Sequence, residues 1–193
     1  MLIIVRHGRT EANATGRLQG RRLDPPLDDL GRRQALAVAA ALPDTARVVA
    51  SPLRRAQETA AAFGLPVETD DRWIELDYGD LDGTPLTDLP AELWSTWQSD
   101  LDFVPPGGES LRTLGERVRG GADALVDDAA GRDVVVVTHV SPLKAALAWA
   151  LGVGDEVAWR TFCAPASVTR IATAGPRLSL HCFNQTSHLA ELG

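Results

Sequence analysis

Cysteine is scarce in this 193-residue chain: Cys163 and Cys182 are its only two, too few for a disulfide framework or a zinc cage. A reducing, cytoplasmic setting is the resulting expectation. Long apolar runs are missing as well. The longest uncharged stretches, such as Val134 to Val137, are strand-sized and far short of the ~18 residues of a membrane span, so no membrane partner is expected. The opening MLIIVRHG has neither a basic leader nor an extended apolar h-region, and no secretory signal is expected from it. Positive charge is not in excess: 19 basic residues against 26 acidic ones give a net charge of −7, which argues against non-specific binding of nucleic acid. The 17 glycines and 12 prolines follow no repeat, excluding a collagen-like or linker-dominated chain.

What is present describes a folded domain. Apolar residues make up 45% and charged residues 23%, and a chain of this length buries roughly 70% of its unfolded surface without staples. Charge is unevenly placed. Residues 1–55 carry a net +5 and the remainder −12, so a basic segment suited to a small anionic ligand sits inside an acidic protein. Eighteen of the nineteen basic residues are arginine, and the chain is alanine-rich.

Leu2 to Val5, Arg47 to Ala50 and Asp133 to Thr138 read as strands buried on both faces. Leu30 to Leu42 and Leu111 to Val126 read as helices, and Ser51-Pro52 and Ser141-Pro142 read as helix starts with an N-cap hydroxyl and an N1 proline. Ser167 to Thr173 and Arg177 to Phe183 suggest a late hairpin about Gly175-Pro176. Together these predict an α/β fold: a three-layer α/β/α sandwich with a mainly parallel sheet and an antiparallel edge.

In such folds ligands gather beyond the carboxyl ends of the strands. Those exits carry Arg6-His7-Gly8, Ser51 to Arg55, and Thr138-His139, which puts two of the chain's four histidines beside arginines. Arginine forks and helix N-termini hold phosphomonoester oxygens, and a neutral imidazole can attack phosphorus to form a phosphohistidine. Arg6, Arg55 and a second imidazole would stabilise the equatorial charge without a metal. The leaving alkoxide needs a proton and the later water needs a base, which one carboxyl group can supply in turn. Glu75, in WIELDYGDLDG, is the candidate. Asp77, Asp80 and Asp82 are its rivals, and composition alone does not separate them.

RHGRTEAN at 6–13 resembles the signature of the histidine phosphatase superfamily, which includes cofactor-dependent phosphoglycerate mutases and many phosphatases. GRLQG at 16–20, PLDDLGRRQA at 26–35, SPLRRAQET at 51–59, ELDYGDLDG at 75–83, PPGGES at 105–110 and VTHVSPLK at 137–144 follow in that family's order. The resemblance implies a single histidine phosphatase domain over 1–193, phosphoglycerate mutase-like, with a lid-like insertion around 76–108. It implies His7 as nucleophile, Glu75 as the acid, and Arg6, Arg55 and His139 around the phosphoryl group. It also implies substrate-contacting polar positions at Asn13 and Gln19, and neither cofactor nor metal. Arg9, Arg17, Arg21, Arg22 and Arg54 are expected to be solvated, and Thr138 to support the pocket. His181 and His188 are expected to lie apart from the site.

Specificity has its own signals. No Lys or Arg falls between Arg72 and Arg112, whereas residues 73–110 hold nine acids together with Trp94, Trp97 and Phe103. An acidic, aromatic lid of this kind favours a phosphatase acting on a neutral leaving group over a mutase that retains a second phosphate. Packing of Trp94 and Trp97 onto the body is an equal alternative. VTHVSPLKAAL and NQTSHL are similar to α-ribazole phosphatase-like proteins and to the acid phosphatase domain joined to ribonuclease H in some bacterial proteins. Because the chain opens on the phosphatase strand, no ribonuclease H part is expected in it. The expected activity is a metal-independent phosphomonoesterase acting on a small phosphorylated metabolite. A mutase-type phosphotransferase and a non-catalytic phospho-ligand binding protein are the alternatives. No motif encodes the physiological substrate or the oligomeric state.

Overall fold

The computed structural model describes residues 1–192. Its centre is β1 (Leu2–Arg6), whose run of large apolar residues is covered on both faces. Side chains alternate across a strand, so Leu2 and Ile4 enter one apolar cluster while Ile3 and Val5 enter another on the opposite face. The four valines of β4 (Asp133–Thr138) divide in the same way: Val134 and Val136 on the first face, Val135 and Val137 on the second. A strand that must be apolar on both sides needs helices above and below, which is the three-layer sandwich expected.

The sheet has six strands in the order β3-β2-β4-β1-β5-β6. β2 (Thr45–Ala50), β3 (Val67–Thr69), β4 and β1 run parallel, and β5 (Val168–Ala172) is antiparallel to β1 and to β6 (Ser179–Gln185). On one face pack α2 (Asp29–Ala40) and α3 (Arg54–Ala61), through Val38, Ala56 and Ala60. On the other pack α5 (Leu111–Asp123) and α7 (Val140–Leu151), through Leu114, Val118, Leu143 and Ala146. Three further α-helices are present among the described residues: α1 (Glu11–Ala14), α4 (Ala91–Ser99) and α6 (Val126–Gly131). Among the described residues no helix is long and apolar enough to cross a membrane.

Several local readings need correction. Neither Ser51 nor Ser141 caps a helix. α3 begins at Arg54, whose backbone N–H donates to both oxygens of the Asp24 carboxylate at 3.0 Å, and α7 begins at Val140 with His139 in the cap position. Pro142 therefore sits in the first turn of α7, where a missing N–H costs nothing because those donors have no intrahelical partner. The predicted helix 111–126 breaks after Asp123 and resumes as α6. β3, three residues at the sheet edge, carries too short a pattern to be read in advance.

One backbone approach sets the depth of the site. A Cβ on Gly31 would lie 2.0 Å from the Arg9 carbonyl oxygen, and one on Gly8 would lie 2.5 Å from the Gly31 carbonyl oxygen. Main chain rests on main chain here, and only glycine permits it. Gly31→Ala is expected to destabilise the fold by about 2–3 kcal/mol, read from the midpoint of urea unfolding at constant slope.

Candidate active site

The parallel register of β1 and β4 pairs Arg6 with Thr138, so the next residues, His7 and His139, leave the sheet at the same level. Their ring centroids lie 5.1 Å apart. The His7 backbone is fixed on both sides, with its N–H donating to the Thr138 carbonyl at 2.9 Å and its carbonyl accepting from Ala166 at 3.0 Å. Ala166 holds a left-handed φ of 56° to make that contact, a conformation that is strained for a residue with a Cβ.

The tautomers follow from the partners. His7 Nδ1 lies 2.7 Å from the Gly8 carbonyl, which can only accept, so Nδ1 carries the hydrogen and the Nε2 lone pair is left for chemistry. His139 Nδ1 accepts from Arg55 Nε at 3.2 Å, which leaves Nε2–H to donate to Ser51 Oγ at 2.7 Å. Burial, then the Arg55 and Arg6 guanidinium charges, hold the His7 pKa well below its usual value. Burial and Arg55 do the same for His139. Both rings are neutral at pH 7. The hydroxyl expected to cap a helix at Ser51 is instead the partner of a site histidine.

Arg55 is completely buried and spends its donors inward, on Gly20 O at 2.8 Å, Leu23 O at 3.2 Å and His139. It and His139 stand behind His7 and are absent from the cavity lining. Arg6 does line the cavity, with Nη1 donating to Cys163 O at 2.5 Å and a buried Nε that has no protein acceptor. Gln19 reaches the same cavity with its Oε1 accepting from Thr10 and its buried Nε2 likewise unpartnered. Buried donors are nearly always satisfied, and four residues that line this cavity carry one without a partner: Arg6 Nε, Gln19 Nε2, Trp97 Nε1 and Trp159 Nε1. Asn13 also lines the cavity and is oriented by the capping box it forms with Thr10 at the start of α1.

Glu75 is the one acid of its loop that reaches this cavity. Its rivals are occupied elsewhere: Asp77 accepts from Gly79 N, Asp80 pairs with Arg22 in solvent, and Asp82 braces the backbone of Gly20, Arg22 and Leu23. Glu75 is 2% exposed, and its Oε1 accepts from Leu76 N at 2.7 Å and Ser141 N at 3.3 Å. Burial raises its pKa against the opposing pull of those N–H groups and of Arg55 and Arg6. The loop is anchored from behind. Arg21 Nε and Arg117 Nη2 both donate to the Glu75 carbonyl, at 2.7 and 3.2 Å, and both guanidinium groups are tied to Glu109. Arg21 is therefore a half-buried brace, not the solvated residue expected. Thr138 Oγ1 donates to Trp73 O at 2.6 Å, tying the end of β4 to the same loop.

The cavity holds about 520 Å³. Leu86, Trp94, Trp97, Trp159 and Phe162 form apolar wall, and Trp97 is fully buried, stacked on Trp94 at 5.9 Å and edge-on to Tyr78 at 5.5 Å. Packing and lining are thus combined in the two tryptophans. Arg17, exposed as expected, nevertheless stands on the cavity lining, and so does Lys144, to which no role was assigned from the sequence. His181 is exposed and His188 is tied to Ala166 O, both outside the lining. Among the described residues no three His, Cys, Asp or Glu side chains gather as metal ligands.

The family model of the histidine phosphatase superfamily (branch 1) matches residues 2–186. The chain belongs to this superfamily. Among its histidine phosphatase relatives is a bifunctional protein of Mycobacterium tuberculosis, 38% identical over 200 residues that cover 97% of this chain but 54% of the relative. The chain thus spans about half the length of that relative. Phosphoserine phosphatase 1 of Hydrogenobacter thermophilus is 34% identical, over 98% of this chain and 94% of its own. A mycobacterial glucosyl-3-phosphoglycerate phosphatase solved with VO3 superposes with a TM-score of 0.84 at 33% identity, covering 96% of this chain and 98% of its own. The phosphoglycerate mutase-like sandwich expected is thereby confirmed.

A carboxyl whose pKa rises on folding makes the native state less stable as pH climbs through the folded value, and the penalty disappears below the ordinary 4.5, where folded and unfolded chains both hold the proton. Glu75→Gln keeps the acceptor for Leu76 and Ser141 but cannot ionise. The variant is expected to melt above the parent at about pH 8, with the gap closing below about pH 4.5, as read by calorimetry across pH.

Proposed function

We propose that this chain is a metal-independent phosphomonoesterase that transfers the phosphoryl group of a small phosphorylated metabolite to His7 and then to water. The observation that carries this reading is the pairing, in one cavity, of a neutral His7 with a free Nε2 and a Glu75 carboxyl whose pKa burial has raised. A module that only binds phospho-ligands needs the cations but has no use for that pair. The names of the relatives agree with the reading.

In this mechanism the phosphate oxygens take the orphaned Arg6 Nε and Gln19 Nε2, together with Asn13. His7 Nε2 attacks phosphorus, and the Gly8 carbonyl steadies the charge that develops on Nδ1–H. Arg55 and His139 act from behind, Arg55 by its charge and His139 by filling the space against the His7 ring. Glu75 gives its proton to the leaving alkoxide and, now ionised, takes one from the water that opens the phosphohistidine. Burial, which raises its affinity for the proton, suits it to both steps, and Arg6 and Arg55 restrain that rise so that it can ionise between them.

The domain reading is one histidine phosphatase domain with residues 76–108 as a lid. Leu86, Trp94 and Trp97 from that segment supply the roof of the cavity and contribute no cation to it. That favours hydrolysis over retention of a bisphosphate by the lid. Cys163 and Cys182 are both unpaired, which suits a cytoplasmic setting.

p-Nitrophenyl phosphate is expected to be hydrolysed in excess EDTA, and His7→Ala to cut turnover by about a thousand-fold or more. Full activity in that variant would remove the nucleophile from the scheme. For an alkyl phosphate, kcat/KM should follow a bell. Its acid limb falls below the ordinary histidine range because the His7 pKa is lowered, and its alkaline limb lies above the ordinary carboxyl value because the Glu75 pKa is raised. Glu75→Gln should erase the alkaline limb along with most of the rate.

A further inference from the structure

Lys144 is the only lysine in the chain, and it stands on α7 facing the same cavity as Arg6 and His7. Its Nζ donates to Ala158 O at 2.7 Å, which uses one of three donors. Among the described residues no carboxylate lies within 4 Å of it to neutralise the charge, as is also true of Arg6 and Arg17, the other two cations of the cavity lining, whereas Arg21 and Arg55 behind it are paired with Glu109 and Asp24. Around it the wall is Leu111, Val140, Trp159 and Phe162. An unpaired ammonium held half-buried in apolar surroundings is costly, and burial lowers its pKa. The two donors left over point to a ligand that brings its own negative charge.

The phosphoryl group is already provided for by Arg6, Gln19 and Asn13, so the anion in question is a second one, carried on the alcohol side of the ester. Arg17 supports the assignment from the cavity mouth. It donates to Gly83 O at 2.8 Å and also lacks a carboxylate partner, though its exposure weakens its pull. The lid was expected to select a neutral leaving group because it has no cation. The cation comes instead from α7, outside the lid.

We propose that Lys144 is a specificity-determining residue that binds a second anionic group on the leaving alcohol, so that the preferred substrates are phosphomonoesters of acidic alcohols. The proposal rests on the phosphatase reading above. Two matched pairs test it: 3-phosphoglycerate against glycerol 3-phosphate, which differ in a carboxylate, and glucose 1,6-bisphosphate against glucose 6-phosphate, which differ in a second phosphate.

For the parent enzyme, kcat/KM is expected to favour the anionic member of at least one pair. Lys144→Met should lower that preference about ten-fold, mainly through KM, because a charge-assisted hydrogen bond is lost. Lys144→Arg should restore most of it. A change confined to the first pair identifies a carboxylate, and a change confined to the second identifies a phosphate. Preference ratios in Lys144→Met within two-fold of the parent for both pairs would overturn the proposal while p-nitrophenyl phosphate turnover still upheld the phosphatase reading. A parent enzyme that hydrolyses no phosphomonoester would overturn both.

Discussion

The parallel pairing of β1 with β4 is the constraint on which the site depends. A register that sets Arg6 opposite Thr138 determines where His7 and His139 emerge, and β2, through Ala50 opposite Val137, brings Ser51 to the same edge. No side-chain adjustment could recover that arrangement after a slip of one residue, because every side chain would change face. The valines and isoleucines on both sides of these strands enforce the register, since a slip would also exchange the two apolar clusters. Core packing and placement of the imidazoles are therefore one requirement.

Electrostatics adds a second layer. Burying two histidines and a glutamate together costs least when all three are neutral, and the same desolvation that lowers the imidazole pKa values raises that of the carboxyl. The shifts thus run in the directions that a nucleophile and a proton donor require. Arg6 and Arg55 reinforce the neutral imidazoles while restraining the rise at Glu75. The cationic charge does not swamp the site because Arg55 is close to Asp24 and the Arg21–Arg117 pair shares Glu109.

The strand exits could be read from the chain because continuous apolar runs end abruptly in Arg6-His7 and Thr138-His139, and the fold class followed from the same runs. The ordered blocks then separated Glu75 from Asp77, Asp80 and Asp82, which periodicity could not do. What stayed hidden depends on contacts between distant segments. Ser51 and Ser141 looked like caps because the local Ser-Pro pattern is the same whether the hydroxyl serves its own helix or a histidine and a tyrosine across the sheet. Arg21 looked solvated because Arg117 and Glu109, its partners in bracing Glu75, lie almost a hundred residues away. Trp159 and Phe162 enter the cavity from a short 3-10 helix, Asp155–Arg160, and the residues just after it, too short a stretch to carry a periodic signal. The one local clue left unused was a single lysine in a chain that otherwise employs arginine.

The two halves of the cavity are built by different means. The phosphoryl half hangs from strand ends and main-chain contacts such as Gly8 on Gly31, where movement of a few tenths of an ångström would be resisted by packed backbone. The leaving-group half is assembled from side chains on separate supports: Trp94 and Trp97 from the lid helix, Lys144 from α7, and Trp159 and Phe162 from the segment after it. A scaffold divided in this way would keep one chemistry while its choice of alcohol changed, since the side chains of the second half can vary without moving the main chain that holds His7.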